Sequence, residues 1–336
     1  MAKPLIVIIT PALANANNGN WQTARRWARL LSPAYRTQIL AHWMGQPADM
    51  MIALHARRSA ESIAFWSAQL VKAPLAVVLT GTDLYRDIAS DASAKASLQL
   101  ADRLVVLQEL GPRMLPAALR PKTRVVFQST GARQTLDKTP RRLRALMVGH
   151  LRSEKSPETF FKAARILAAR DDILLDHIGA PLDTALAAEA EATMADCPRY
   201  RWLGGLTHAQ TLKRIQRAHL LVHASRMEGG AHVVLEAVRS ATPVLASRID
   251  GNVGMLGEAY GGYFRWGNAA QLAAMLVQCR DTQSAAEGLL ARLAAQCASR
   301  APLFEPAAER AALHALVHEL HGGQWRVARP ASASAL

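Results

Sequence analysis

The sequence is poor in the residues that define several protein classes. Its 336 residues include three cysteines, and their odd number and wide spacing argue against a disulfide framework or a paired-cysteine zinc site. No apolar run is long enough to span a bilayer. The short apolar run at residues 5–9 has no small-residue cleavage site after it, which indicates a buried strand rather than a signal peptide. We therefore expect a cytoplasmic protein without stable membrane association.

Acidic residues are also scarce relative to basic ones. The chain has 26 Asp and Glu against 40 Lys and Arg, which gives a formal net charge of +14. Such a charge suggests anionic partners. The arginines are scattered through alanine-rich helical segments, and no nucleic-acid-binding motif is present, so we expect small phosphorylated ligands and no nucleic acid. The length predicts two domains, and the 50% of hydrophobic residues is enough for two large cores.

The most informative stretch runs from residue 220 to residue 251. An apolar strand, Leu220–Val222, leads through a polar turn into Gly229 and Gly230, and helical periodicity starts at Ala231. A second strand, Val244–Ala246, follows. The unit is a strand, a glycine loop, a helix and a strand. Because a helix N-terminus favours anions, this unit predicts a diphosphate site.

Two glutamates, Glu228 and Glu236, flank the predicted start of this helix. A pair at this spacing is common by chance, and each could be an ordinary surface residue. Here glycines follow the first glutamate and Ala-Val-x-x-x-Thr-Pro-Val follows the second. This combination resembles the donor site of retaining glycosyltransferases of family 4. The resemblance implies an α/β protein with the GT-B architecture, which has two facing Rossmann-like domains and a C-terminal helix that crosses back.

The family resemblance also implies roles for individual residues. Glu228 would contact the donor sugar and Glu236 the nucleotide ribose. The segment 149–155 resembles the second signature of the family, in which Lys155 grips the diphosphate. His150 stands where the family has Arg, Ser156 stands where it has Gly, and Arg152 is our candidate to supply the missing charge. The remaining donor-site residues implied are Leu206 at the nucleobase, and Gly229, Gly230, Ala231, His232 and Val233 at the diphosphate.

Alternating strand and helix patterns extend over most of the chain. They predict two Rossmann-like domains, over residues 1–135 and 142–303, and a disordered tail over 322–336. The resemblance implies that the first domain binds the acceptor, that the second binds the nucleotide sugar, and that residues 304–321 form a helix that crosses back to the first domain. Residues 247–254 are predicted to be a loop. The predicted strands are Leu5–Ile9, Thr37–Leu40, Met50–Leu54, Leu75–Leu79, Arg103–Leu107, Arg124–Phe127, Leu143–Val148, Ile173–Ile178, Tyr200–Leu203, Leu220–Val222 and Val244–Ala246.

Polar residues follow several predicted strands of the first domain, where ligands of open α/β sheets gather. The loop with Gly19 and Asn20 corresponds in family 4 to one that faces the sugar phosphate, although it could equally be a solvated turn. A lone histidine such as His55 is as often structural as catalytic. The acceptor-site candidates are Thr23, His55, Arg57, Arg58, Thr80, Gly81, Thr82 and Asp83.

A narrower resemblance covers about residues 6–264. The segments IALHARRSAESI and LTGTDLYRDI, together with Gly-Gly-Ala-His in the donor stretch, resemble the selenosugar synthases of selenoneine biosynthesis. That resemblance implies transfer of the sugar of UDP-N-acetylglucosamine, or a related UDP-sugar, to the selenium of selenophosphate. It implies no cofactor and no metal, with the UDP-sugar as co-substrate and possible hand-over to other enzymes of the pathway. An ordinary sugar or lipid acceptor, or a catalytically silent nucleotide-sugar-binding module, stays open.

Overall fold

The computed structural model describes residues 3–13, 19–69 and 73–322. The chain divides into two compact units. The first comprises residues 1–107, 111–127 and 306–336, and the second comprises residues 108–110 and 128–305. The predicted disordered tail lies, from residue 323 onward, outside the described residues.

The first unit is built on a six-stranded parallel sheet. Its strands have the spatial order β2-β1-β3-β4-β5-β6, so the chain switches direction of travel across the sheet after β2. The two middle strands β3 and β4 are buried at every position, which matches their unbroken apolar sequences. The strand bounds are β1 Leu5–Ile9, β2 Arg36–Leu40, β3 Met50–Leu54, β4 Leu75–Leu79, β5 Arg103–Val106 and β6 Thr123–Val125.

Helices cover both faces of this sheet and form two apolar cores. The helices of the first unit are α1 Gly19–Leu31, α2 Ala60–Gln69, α3 Ile88–Ser90, α4 Ala92–Leu100 and, from the end of the chain, α12 Pro306–Leu320. Helix α12 places Leu313, Leu316 and Val317 in the core that α1 also lines. Arg26 and the indole of Trp27 both donate to the buried carboxylate of Glu309, which fixes α12 to α1. The expected return of the last helix to the first domain is therefore confirmed.

The second unit also has a six-stranded parallel sheet, with the order β12-β11-β10-β7-β8-β9. Its strands are β7 Leu143–Val148, β8 Ile173–Ile178, β9 Tyr200–Trp202, β10 Leu220–His223, β11 Val244–Ser247 and β12 Tyr263–Phe264. Its helices are α5 Pro157–Ile166, α6 Thr184–Asp196, α7 His208–Arg217, α8 His232–Val238, α9 Asp250–Leu256, α10 Ala269–Asp281 and α11 Leu289–Arg300. The predicted α/β class, with two Rossmann-like sheets, is confirmed.

The predicted loop 247–254 is wrong, because helix α9 begins at Asp250. Two glycines and an asparagine in four residues gave no helical signal. Tertiary contacts override that low propensity. Asn252 Nδ2 donates to the carbonyl of Ser247 at 2.8 Å, and residues 251–256 are all buried.

All three cysteines are buried and unpaired. Burial raises the pKa of Cys279 to about 12 and that of Cys297 to about 11, and it also raises the pKa of Cys197. Within the described ranges, no helix is long and apolar enough to cross a membrane.

Candidate functional site

Three side chains of the second unit meet at the carboxyl ends of strands β7 and β10. The loop after β7 makes a 3-10 turn at Ser153–Lys155, and the Lys155 Nζ lies 2.5 Å from the Glu228 Oε1. The lysine and glutamate side chains are only 16% and 13% exposed. His223, the last residue of β10, places its Nε2 3.4 Å from the same Glu228 oxygen. We call Lys155, His223 and Glu228 the Lys155 cluster.

The Lys155 cluster keeps Glu228 ionised in a largely buried place. Burial alone would raise the pKa of this carboxyl, but the adjacent Lys155 ammonium and the His223 ring hold it well below its usual range. Sequence reasoning missed His223. A histidine that ends an otherwise apolar buried strand, five residues before a candidate glutamate, was the available signal.

Backbone geometry explains why glycine is expected at position 156. Ser156 has φ +46° and ψ +52°, a left-handed conformation that is unfavourable for residues other than glycine. The serine hydroxyl accepts a hydrogen bond of 3.0 Å from the indole Nε1 of Trp266, whose side chain is otherwise about half exposed. This bond links the loop after β12 to the residue next to Lys155.

Two glycines outside the predicted motifs allow loops to approach one another. A Cβ on Gly251 would lie 2.1 Å from the carbonyl oxygen of Glu228, and one on Gly179 would lie 1.9 Å from the carbonyl oxygen of Gly149. Neither contact is possible for a residue with a side chain. Helix α9 and the loop after β8 therefore pack directly against the backbones that carry the candidate site.

His150 is a neutral hydrogen-bonding group and not a substitute cation. Its Nδ1 accepts a hydrogen bond of 3.0 Å from the amide of Ala180. Burial, followed by the charges of Arg152 and Lys155, lowers the pKa of His150. With Nδ1 accepting, the ring proton lies on Nε2, so His150 can donate to a ligand without adding charge. Arg152 is exposed, and its charge is one cause of the lowered pKa of His150; its role as the replacement charge stays a prediction.

A second group of polar side chains surrounds Glu236, which is 5% exposed. His208 Nε2 lies 2.6 Å and His232 Nδ1 lies 3.1 Å from the Glu236 Oε1. We call these three residues the Glu236 cluster. Burial would raise the pKa of Glu236, but the hydrogen bonds from His208 and His232 lower it to about 2. The hydrogen bond to Glu236 in turn raises the pKa of His208. Sequence reasoning did not identify His208 as a site residue.

The glycine loop lies between Glu228 and Glu236 in the sequence. Gly229 and Ala231 are buried, whereas Gly230, His232 and Val233 are half-buried. The helix begins at His232, with Ala231 as N-cap and no side-chain cap, one residue later than predicted. The Ala231 amide points at the Met255 Sδ, 3.2 Å away, and a thioether is a weak acceptor. Leu206 is half-buried just after β9, next to the cap of α7.

In the first unit, the buried side chain of Asp83 holds the backbone of the loop after β4 in place. Its carboxylate accepts from the amides of Thr80, Gly81 and Ala56 at 2.8–3.0 Å, and its side chain is fully buried. These amides were candidates for holding an anionic acceptor. Because these amides are bonded to Asp83, the side-chain donors of this loop are the hydroxyls of Thr80 and Thr82.

His55 lies beside that loop in a left-handed backbone conformation, with φ +73°. Burial is the main reason that its pKa is lowered. Its Nδ1 accepts from the Arg58 amide at 3.3 Å, and its Nε2 lies 3.1 Å from the Thr82 hydroxyl. Non-glycine residues in this conformation are uncommon outside functional or strained segments.

A single π-helical turn, Asp83–Asp87, follows the Thr80–Thr82 loop. Such turns are frequent at functional sites. Asp87, which sequence reasoning did not single out, is 4% exposed, and its Oδ2 has no hydrogen-bond partner among the described residues. That oxygen lies 3.9 Å from the His55 Nε2.

The two candidate arginines differ in their partners. Arg57 forms ion pairs with Asp91 at 3.1 Å and with Asp87 at 3.8 Å. Arg58 is exposed and makes no ion pair with the described residues. Near the start of the unit, Gly19 is the first residue of α1, and Asn20 is half-buried in its first turn. Thr23 is buried and donates its hydroxyl to the Gly19 carbonyl at 2.8 Å.

Residues 129–284 match the family model of glycosyl transferases group 1. No curated protein sequence matches the chain. Among solved structures, Anabaena HepE in complex with UDP has a TM-score of 0.72 and 13% sequence identity, over 94% of this chain and 100% of HepE. Sucrose-phosphate synthase from Thermosynechococcus elongatus has a TM-score of 0.73 and 14% identity, over 96% of this chain and 100% of the synthase.

The chain is also similar to S. aureus TarM, in a complex that includes UDP, with a TM-score of 0.64 and 14% identity. That match covers 80% of this chain and 55% of TarM, so the chain spans about half the length of this relative. At these identities the solved structures define the fold. The chain therefore has the GT-B fold, and its residues 129–284 are similar to the glycosyl transferases group 1 family.

Proposed function

We propose that this protein is a glycosyltransferase that moves the sugar of UDP-N-acetylglucosamine, or a related UDP-sugar, to the selenium of selenophosphate. The UDP-sugar donor is supported by one observation. Lys155 pairs with Glu228 at the edge of the second sheet, and Glu236 is buried eight residues after Glu228. Two solved relatives of the same fold, HepE and TarM, are complexes that contain UDP.

The donor-site residues have the chemistry that a UDP-sugar requires. Lys155 has three N–H donors, so one can hold Glu228 while another reaches a phosphate oxygen. The backbone amides at the start of α8 are the groups that the family resemblance assigns to the diphosphate, and a helix start favours such an anion. Glu236 is ionised and can accept from ribose hydroxyls, and Glu228 can accept from sugar hydroxyls. His150 adds a neutral donor, and Arg152 adds the charge that His150 lacks.

The reaction breaks the bond between the anomeric carbon and the diphosphate oxygen, and the electron pair leaves with UDP. Lys155 and the helix amides stabilise that developing charge. A selenium lone pair of selenophosphate forms the new bond to the anomeric carbon. Water then cleaves the selenium–phosphorus bond, which gives inorganic phosphate and the 1-selenosugar. Because selenium is already nucleophilic, the transfer step needs no strong base.

The selenium acceptor is supported by the resemblance to selenosugar synthases, which is most specific in the first-domain loops. Those loops offer the Thr82 hydroxyl and the Arg58 guanidinium, which suit a small phosphate-like anion. The candidate segments 19–20, 55–58 and 80–83 contain no Phe, Trp or Tyr, which leaves little aromatic surface for a sugar or a lipid chain.

The decisive experiment incubates the protein with UDP-N-acetylglucosamine, with and without freshly prepared selenophosphate. We expect UDP release that depends on selenophosphate, and a product whose mass spectrum shows the isotope pattern of selenium on the sugar. Glu228→Ala, which removes the proposed sugar contact, is the matched inactive control. Transfer to a hydroxyl acceptor without any selenium product would refute the selenium assignment. Binding of UDP-sugar without any turnover would indicate a silent binding module.

One observation favours a hydroxyl acceptor as the second candidate. The unpartnered Oδ2 of Asp87 lies in the acceptor region, 3.9 Å from the His55 Nε2. A carboxylate oxygen accepts a hydroxyl proton but repels an anion. If Asp87 contacts the acceptor, Asp87→Asn abolishes transfer to a hydroxyl and improves the use of selenophosphate.

A further inference from the structure

Both hydrogen bonds of the Glu236 cluster go to one carboxylate oxygen. His208 and His232 approach Oε1 at 2.6 Å and 3.1 Å, and no described residue donates a hydrogen bond to Oε2. The carboxylate is therefore held by one oxygen and leaves the other oxygen for a ligand. A fixed carboxylate oriented in this way suits the two adjacent hydroxyls of a ribose.

The backbone at His208 is itself fixed. Thr207 caps helix α7 through a reciprocal capping box with Gln210, so the first residue of the helix has a defined direction. The His208 side chain is nevertheless 66% exposed. An exposed side chain that is ordered against a buried carboxylate contributes little to a core, so its main effect falls on the orientation of Glu236.

We propose that His208 is a positioning residue that aims Glu236 at the ribose hydroxyls of the donor nucleotide, so that nucleotide affinity falls as His208 loses its proton. This inference rests on the proposed UDP-sugar donor. It adds a specificity element that lies outside the glutamate pair itself.

Glu236, which faces His208 from helix α8, favours its protonated form, and Arg133, from the segment before β7, opposes it. His232 shares the same Glu236 oxygen. The hydrogen bond to Glu236 outweighs burial and the charge of Arg133, and the pKa of His208 is raised above its ordinary value of 6.5. The strongest contact between His208 and Glu236 therefore exists below that raised pKa and weakens as the pH rises through it.

The test measures binding of UDP and 2′-deoxy-UDP by calorimetry at about pH 6 and about pH 8.5. We expect His208→Ala to weaken UDP binding about tenfold at the lower pH, and to weaken deoxy-UDP binding much less. The preference for the ribose nucleotide therefore shrinks, which a general structural defect would not produce. His208→Gln keeps an N–H donor and should restore part of the affinity without the pH dependence. His318→Ala, an exposed histidine on α12, is the control.

Unchanged nucleotide preference and unchanged pH dependence in His208→Ala would overturn the inference. Tighter binding of UDP by His208→Ala would also overturn it, because the histidine would then compete with the ribose. If Glu236→Ala also leaves UDP affinity unchanged, the proposed donor site fails as well. If Glu236→Ala weakens UDP binding and His208→Ala does not, the donor site stands and only the role of His208 is wrong.

Discussion

Removing Lys155 should expose how strongly the second unit depends on its charge pair. The change Lys155→Met keeps a similar volume and removes the ammonium that lies 2.5 Å from Glu228. Glu228 then stays in its largely buried place with His223 as its remaining partner, at 3.4 Å. An uncompensated buried carboxylate destabilises the folded state, and either unfolding becomes easier or the carboxyl takes up a proton.

The size of the effect follows from the burial of the pair. Removing one partner of a buried ion pair costs about 3–5 kcal/mol. Because the two side chains retain 16% and 13% of their exposure, we expect the lower end, about 3 kcal/mol. For a domain of about 150–250 residues, that loss lowers the melting temperature by about 6–12 °C.

The loss of stability in Lys155→Met should change with pH in a defined direction. In the native protein the depressed pKa of Glu228 adds stability above its ordinary value of 4.5, and this stability is lost as the pH falls through the depressed pKa. In Lys155→Met, burial raises the pKa of Glu228 instead, so a falling pH neutralises the unpaired carboxylate. The difference in melting temperature between native protein and variant should therefore shrink from neutral pH toward the ordinary range of a glutamate.

Thermal unfolding of the full chain by calorimetry, at several pH values, measures this difference. Lys162→Met is the control, since Lys162 is exposed on α5 and makes no ion pair with the described residues. In the double variant with Glu228→Gln, the loss should be clearly smaller than the sum of the two single losses. A pH-independent loss, or additive losses in the double variant, would refute the reasoning.

Three further predictions concern single contacts. Glu236→Ala should weaken UDP binding by about 1.5–3 kcal/mol, because a hydrogen bond to a charged group is lost, and unchanged affinity in a titration would contradict the ribose assignment. Arg58→Ala should raise the KM for selenophosphate more than Arg57→Ala, since Arg57 is already paired with Asp91, and equal kinetic effects would argue against this. Trp266→Phe should destabilise the native chain by about 1 kcal/mol, because the indole hydrogen bond to the Ser156 hydroxyl is lost. In a chain that carries Ser156→Gly it should have no such effect, because glycine adopts the left-handed conformation without that bond. Equal losses of stability in thermal melts of the two chains would exclude this coupling.

Much of the fold could be predicted because buried parallel strands are unbroken apolar runs. Leu5–Ile9, Met50–Leu54, Leu75–Leu79, Leu143–Val148 and Ile173–Ile178 begin and end where the sequence predicts. The errors fall where local sequence carries no periodicity. Helix α9 is fixed by the hydrogen bond from Asn252 to Ser247 and by the close approach of Gly251 to the Glu228 backbone, and the two-residue strand β12 exists only through its pairing with β11.

The sequence predicted only those residues of the candidate site that belong to a motif. Glu228, Glu236 and Lys155 belong to recognisable patterns, and the structure places Lys155 beside Glu228. His208 lies 28 residues before Glu236 in the sequence, so no motif connects the two, and His223 offered only its place at the end of a buried strand five residues before Glu228. Asp83 shows the opposite case. Its position after a strand suggested a ligand contact. In the structure its Oδ1 accepts from the amides of Thr80 and Gly81 in its own loop, and its Oδ2 accepts from the amide of Ala56 in the loop after β3.

The burial of all three thiols has a consequence for redox chemistry. Thiolates, rather than thiols, are the nucleophiles that attack oxidised selenium and sulfur species. Cys197, Cys279 and Cys297 are at most 3% exposed, and burial raises the pKa of each. At neutral pH these side chains are protonated and shielded, so they resist mixed selenium–sulfur bonds and thiol oxidation. The proposed transfer to selenophosphate can therefore proceed beside thiols that are not modified.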